Sequence, residues 1–120
     1  MSRGTDCGIL IAEDDDDLRE DISEALRQEG YAVTGARDGA RALLSVLQRR
    51  PTLVLLDMKM PYVDGWKFAQ DLNSYGVQVP IVVMTASDEA PQAADQIGAA
   101  DWIGKPFHLD QLLSVVKRNC

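Results

Sequence analysis

Four apolar runs in this chain each end directly in a side chain that could do chemistry. Gly8-Ile9-Leu10-Ile11-Ala12 runs into Glu13 and Asp14, and Leu53-Val54-Leu55-Leu56 into Asp57. Ile81-Val82-Val83-Met84 runs into Thr85, and the shorter Asp101-Trp102-Ile103-Gly104 into Lys105. Taken alone, each has an ordinary explanation: an Asp after a strand usually caps a turn or helix, and so does a Thr. The conjunction on four separate runs is the signal. Carboxylates withdrawn from water need a proton, a cation or hydrogen-bond donors. In one crevice they also repel, by roughly 4 kcal/mol per pair at ~4 Å and an effective dielectric of ~20. Either their pKa values rise or a hard divalent cation binds. Mg²⁺ (or Mn²⁺) suits a site of a few carboxylates, a backbone carbonyl and waters. With Thr85 as a hydroxyl donor and Lys105 as a fixed ammonium, the set suits the equatorial oxygens of a transferring phosphoryl group. Asp57 is then the nucleophile, holding an acyl phosphate.

The elements that must position these groups follow from hydrophobic pattern and punctuation. Leu53–Leu56, bounded by Pro51 and Pro61, reads as a strand buried on both faces. Gly8–Ala12, Tyr31–Ala36, Pro80–Met84 and Asp101–Gly104 are the other predicted strands. Helix 1 begins in the acidic run, with Asp15, Asp16 and Asp17 as cap and first turn. It buries Leu18, Ile22, Ala25 and Leu26, and stops at Gly30. Helix 2 starts at Asp38, with Ala40, Leu43, Leu44 and Leu47 as its expected buried stripe, and Pro51 bars its extension. Helix 3 carries Trp66, Ala69 and Leu72. Helix 4 begins near Asp88, accepts Pro91 in its first turn and offers only Ala90, Ala93, Ala94 and Ile97 to a core. It is expected to be the least stable helix. Helix 5 presents Leu109, Leu112, Leu113 and Val116. Alternating strands and helices imply an α/β, doubly wound parallel sheet. The flavodoxin-like order 2-1-3-4-5 is a fold-level expectation. In that order strands 1 and 3 are adjacent, and the switch point between their carboxyl ends gathers Glu13, Asp14 and Asp57.

Composition narrows the function classes. At 120 residues the expectation is a single domain with no output domain inside the chain. A net charge of −7 argues against direct nucleic-acid binding, which uses Lys/Arg clusters. No apolar run has membrane-spanning length and Met1 to Gly8 has no signal-peptide core, so no membrane contact and a cytoplasmic location are expected. Cys7, Cys120 and His108 make no zinc pattern. The cysteines could lie at the same end of the domain, and free thiols are expected. A phosphate-cradling glycine loop is missing, and five acids after strand 1 would repel a phosphate-bearing cofactor without a metal. Nothing suggests the separate substrate pocket of an aspartyl phosphatase.

ILIAEDD, LVLLDMKMPYVDGW, IVVMTAS and DWIGKPF together resemble the response-regulator receiver domains of two-component signalling, including the chemotaxis regulators, from Ile9 to about Lys117. The resemblance implies a phosphorelay switch rather than an enzyme with its own substrate. Slow self-dephosphorylation and self-phosphorylation from small donors go with it. It implies that Asp57 is phosphorylated, that Glu13 and Asp14 are the metal-binding acid pair, and that the main-chain carbonyl of Lys59 is a further ligand. Thr85 becomes the hydroxyl that moves onto the phosphoryl group and Lys105 the ammonium that pairs with it, with a cis Lys105–Pro106 bond. Gly65 closes the loop after the acceptor. Trp102 stands at the aromatic switch position, where Tyr or Phe is usual. Glu13 replaces the commoner Asp. Lys59 and Ser87 flank the phosphoryl site and are expected to tune dephosphorylation. His108 is structural, near the start of helix 5. The implied partners are a histidine kinase or histidine phosphotransfer protein, an output domain or protein, and a second copy of the chain. The alternative is a pseudo-receiver, a phosphorylation-independent interaction module of the same fold.

Overall fold

The structure, a computed structural model, describes residues 7–120. The polar N-terminal stretch read above lies, up to residue 6, outside the described residues. Among the described residues ten elements alternate: β1 (Gly8–Ala12), α1 (Asp16–Gln28), β2 (Ala32–Ala36), α2 (Gly39–Gln48), β3 (Leu53–Asp57), α3 (Gly65–Ser74), β4 (Ile81–Ala86), α4 (Ala90–Ile97), β5 (Asp101–Lys105) and α5 (Leu109–Asn119). The strands form one parallel sheet in the order β2-β1-β3-β4-β5. No helix among the described residues is long and apolar enough to cross a membrane.

β3 is buried at every position because helices cover both sheet faces. Successive strand residues point to opposite sides and divide the core in two. Ile9, Ile11, Leu53, Leu55, Val82 and Met84 join Ile22 and Leu26 of α1 and Leu112, Val115 and Val116 of α5. Leu10, Ala12, Val54, Leu56 and Val83 join Ala42 and Val46 of α2, Phe68 and Leu72 of α3, and Ala93 and Ala94 of α4.

Three expected helix faces are corrected. In α2 the buried residues are Gly39, Ala42 and Val46, with Leu43 half-buried. Ala40 is exposed, and Leu44 and Leu47 are 56% and 43% exposed. The helix phase follows from a close backbone approach. A Cβ on Gly39 would lie 2.3 Å from the Val63 carbonyl oxygen, which instead accepts the Gly39 N–H at 3.1 Å. Trp66 lies on the surface of α3, where Phe68 takes the core position, and Leu109 is exposed at the start of α5. Cys7 and Cys120, expected as free thiols, are joined as a disulfide with Cα atoms 5.9 Å apart. The reason is topological. Helices run back against the strands, so the end of α5 returns to the sheet edge where β1 begins.

Candidate functional site

The carboxyl ends of β1, β3, β4 and β5 open into one cleft of about 650 Å³, lined by Glu13, Asp14, Asp57, Lys59, Thr85, Lys105 and neighbours. Every residue expected there from strand ends is present. The sheet register explains it: Ala12 pairs with Leu56, Asp57 with Met84, and Thr85 with Gly104. The site residues climb along the edge in steps: Glu13 follows the Ala12–Leu56 pair beside Asp57, Thr85 lies one residue beyond the Asp57–Met84 pair, and Lys105, paired with Ala86, one residue further.

Carboxylate oxygens of Glu13, Asp14 and Asp57 lie within 4.8 Å of one another. Asp14 is exposed, whereas Glu13 and Asp57 are only 1% and 4% exposed. Lys105 Nζ sits 2.6 Å from Glu13 Oε1 and 3.5 Å from Asp57 Oδ2. The second oxygens are also engaged: Asp15 N–H donates to Glu13 Oε2 at 3.1 Å, and Lys59 N–H donates to Asp57 Oδ1 at 3.1 Å. Burial pushes the Glu13 carboxyl up to about 7 against the lowering effect of Lys105, and Asp57 adds to the rise. Burial also raises Asp57, opposed by the Lys105 charge and the Lys59 N–H. Burial disfavours the Lys105 ammonium, but its hydrogen bond to Glu13 and the charges of Asp57 and Glu13 outweigh that and raise its pKa. The acids therefore exceed the compensation one lysine provides. A hard, oxygen-seeking divalent cation fits such a donor set.

The rest of the frame is tightly built. Gly104 is required beside β4, since a Cβ there would lie 2.6 Å from Ser87 Cα. Ser87 lies outside the cleft lining, with its hydroxyl donating to the Lys105 carbonyl at 3.0 Å and its N–H to the same oxygen at 3.2 Å. It thus fixes the backbone that carries Lys105. The Lys105–Pro106 bond is cis, as expected. Gly65 N–H donates to the Met58 carbonyl at 3.0 Å, and a Cβ on Gly65 would collide with Met58 Sδ at 2.5 Å, so only glycine closes this loop. Thr85 is buried in the cleft wall. Trp102 pairs in register with Val83 and its residue is 42% exposed. His108 is the N-cap residue of α5, and its N–H donates to Gln111 Oε1 at 2.8 Å.

Two contributors escaped the sequence reading. Arg19 donates to the Glu13 carbonyl at 2.7 Å and to Asp16 Oδ1 at 2.5 Å, anchoring α1 to the strand end. Glu89 pairs with the Lys59 ammonium at 2.8 Å, across the space between β3 and α4. An Arg one turn into a helix that follows acids was a usable signal. A contact between residues 59 and 89 had none.

The family model described as the response regulator receiver domain matches residues 9–117. The response regulator MprA of Mycobacterium sp. (strain KMS) is 40% identical over 108 residues, covering 88% of this chain and 47% of that protein. MprA of Mycobacterium leprae (strain TN) is 39% identical over 111 residues, 91% of this chain and 49% of that protein. The chain therefore spans about half the length of these curated relatives. Among solved structures, chemotaxis protein CheY4 of Vibrio cholerae matches with a TM-score of 0.85 at 29% identity, over 95% of this chain and 98% of that one. The receiver domain of NtrX from Brucella abortus matches with a TM-score of 0.83 at 30% identity, over 92% and 96%. With the parallel five-stranded sheet and the acidic cleft at its carboxyl edge, these matches establish that the chain belongs to the response regulator receiver domain family of two-component signalling.

Proposed function

We propose that this chain is a phosphoacceptor switch that takes a phosphoryl group from a phosphohistidine onto Asp57. The observation that carries the reading is the buried Asp57 carboxylate, held between Glu13, Asp14 and Lys105 with Lys59 N–H on one oxygen. An oxygen of Asp57 attacks phosphorus, the P–N bond of the donor breaks, and the imidazole leaves with the bond's electron pair. Glu13, Asp14, Asp57 and the main-chain carbonyl of Lys59 would hold Mg²⁺ or Mn²⁺. The bound cation would neutralise charge developing on the phosphoryl oxygens. Lys105 supplies a fixed ammonium and Thr85 a hydroxyl donor to the same oxygens.

The new group adds about −1.5 to −2 charge and three strong acceptors. Lys105 exchanges part of its bonding with Glu13 for the phosphoryl group, and Thr85 moves toward it. The space Thr85 leaves admits Trp102, whose exposed ring in this structure suits the outward position. The face formed by α4, β5 and α5 then changes shape for an output domain, a protein partner or a second copy of the chain. Lys59 tunes the phosphoryl lifetime from the cleft wall, and Ser87 does so through the Lys105 backbone. Residues 1–120 act as one receiver unit in the cytoplasm, served by a histidine kinase or a histidine phosphotransfer protein. The complete set of acid pair, acceptor, hydroxyl and ammonium favours this over a phosphorylation-independent module.

Intact mass after incubation with Mg²⁺ and a small acyl phosphate tests the reading. One phosphoryl adduct is expected on the wild type, absent in Asp57→Asn and absent after chelation with EDTA. An adduct that survives in Asp57→Asn, or none on the wild type, overturns the assignment.

A further inference from the structure

The sheet's amino edge, opposite the acidic cleft, holds a pair the phosphoacceptor reading does not use. The chain has two cysteines, at positions 7 and 120, and the fold brings them together with Cα atoms 5.9 Å apart across a sequence separation of 113. That spacing lies within the range a disulfide spans. The two sites differ in access. Cys7 is buried among Ile9, Leu26, Leu53 and Val116 in the core shared by α1 and α5, whereas Cys120 is exposed at the end of α5. The last turn of α5 is also tied to β5. Asn119 Nδ2 donates to Asp101 Oδ2 at 3.0 Å and Arg118 Nε donates to it at 3.1 Å, while the Trp102 N–H takes Asp101 Oδ1 at 2.8 Å. A bond from Cys120 to Cys7 therefore fastens α5 to β1 at the point where α5 is already held to the residue preceding Trp102.

We propose that Cys7 and Cys120 form a reversible redox pair, in which oxidation locks the C-terminal turn of α5 to the start of β1 and reduction releases it. The oxidant is a low-molecular-weight disulfide such as oxidised glutathione. The exposed Cys120 thiolate attacks one of its sulfurs, forming a mixed disulfide and releasing one reduced glutathione. The Cys7 thiolate then attacks Cys120 Sγ, forming the intrachain bond and releasing the second. Two protein thiols are oxidised, one small disulfide is reduced, and a dithiol reductant reverses the exchange. A reducing cytoplasm keeps the pair open, so closure reports an oxidative shift. The pair stands on the fold alone; an effect of the lock on the α4–β5–α5 face rests on the phosphoacceptor reading.

The test uses the full chain, equilibrated with either dithiothreitol or oxidised glutathione, then alkylated, weighed and melted. After glutathione treatment the expected product is a monomer with no alkylated thiol, melting about 10 °C or more above the reduced form, because the bond closes a long loop. Hydrogen exchange in residues 112–119 should slow on oxidation. Cys120→Ser, at an exposed position, should keep the reduced melting temperature under both conditions, and Cys7→Ala should likewise lose the response. Asp57→Asn should retain it in full, which separates this proposal from the phosphoacceptor reading. Two alkylated thiols after oxidation, stable glutathione adducts, disulfide-linked dimers, or equal melting temperatures and exchange in both states would each overturn it.

Discussion

α1 and α4 both follow a strand whose end carries site chemistry, yet they are built to opposite specifications. α1 runs for 13 residues, Asp15 Oδ1 accepts the Leu18 N–H at 3.1 Å, and Asp16 and Asp17 suit the positive end of the helix dipole. It buries Ile22 and Leu26 completely, and Arg19 bolts it to the Glu13 carbonyl. α4 has 8 residues, no side-chain cap, and a buried face of Ala90, Ala93 and Ala94. Beyond these, Ile97 packs half-buried against the core, and the polar ties are peripheral: Lys59 to Glu89 at 2.8 Å, and Trp66 Nε1 donating to Gln96 Oε1 at 2.8 Å. One helix, which lends Leu18 to the cleft lining, is thus fixed, and the other, outside that lining, is drawn from the low-stability end of the fold. A switch needs both: a rigid frame that holds the acids together against repulsion, and an element that small forces can shift.

Mutations on the two helices should separate most clearly in global stability. Leu26→Ala removes a fully buried side chain and should cost about 3 kcal/mol by urea unfolding, whereas Ala93→Gly on α4 should cost about half that. Equal costs would break the contrast.

Proton linkage at Glu13, beside the fixed helix, is the next largest effect. The native Glu13 pKa of about 7 lies above its ordinary 4.5, so the folded protein keeps a proton that the unfolded chain has already lost. Stability from this group is therefore present at low pH and lost as pH rises from about 4.5 through about 7, an effect of up to about 3 kcal/mol. Asp57 pushes in the same direction. In EDTA the melting temperature should fall across that window, and Glu13→Gln should flatten the slope. Mg²⁺ affinity should rise with pH over the same interval, because the deprotonated acids are the ligands. A slope unchanged in Glu13→Gln would place the linkage elsewhere.

Asp15→Ala should destabilise the protein by about 1 kcal/mol through loss of the α1 cap, with faster amide exchange confined to the first turn of α1. The smallest change belongs to Lys59→Met. The Lys59–Glu89 pair is exposed and should leave global stability almost unchanged, but its loss should raise exchange in α4 and leave α1 untouched. Faster exchange in α1 from that variant would remove the distinction between the two helices.

Much of this was legible in the sequence, and for identifiable reasons. Continuous apolar runs such as Leu53–Leu56 betray strands buried on both faces, and a polar residue ending each run marks the sheet edge where a ligand site belongs. The thinness of α4 could be read from its alanines. The phase of α2 could not. Leu44 and Leu47 are the stronger apolar letters, but the close approach of Gly39 to Val63 turns small residues inward and leaves those leucines outside. The Cys7–Cys120 bond and the Lys59–Glu89 pair depend on where distant elements end in space, and no local pattern encodes that.

Hydrogen exchange measured on α1 and α4 together, with Mg²⁺ and before and after phosphorylation verified by mass, tests the link from site to face most directly. Exchange should change in α4, β5 and α5, stay constant in α1, and not respond in Asp57→Asn. A change of equal size in α1, or none in α4 despite a full adduct at Asp57, would contradict a fixed helix and a movable one.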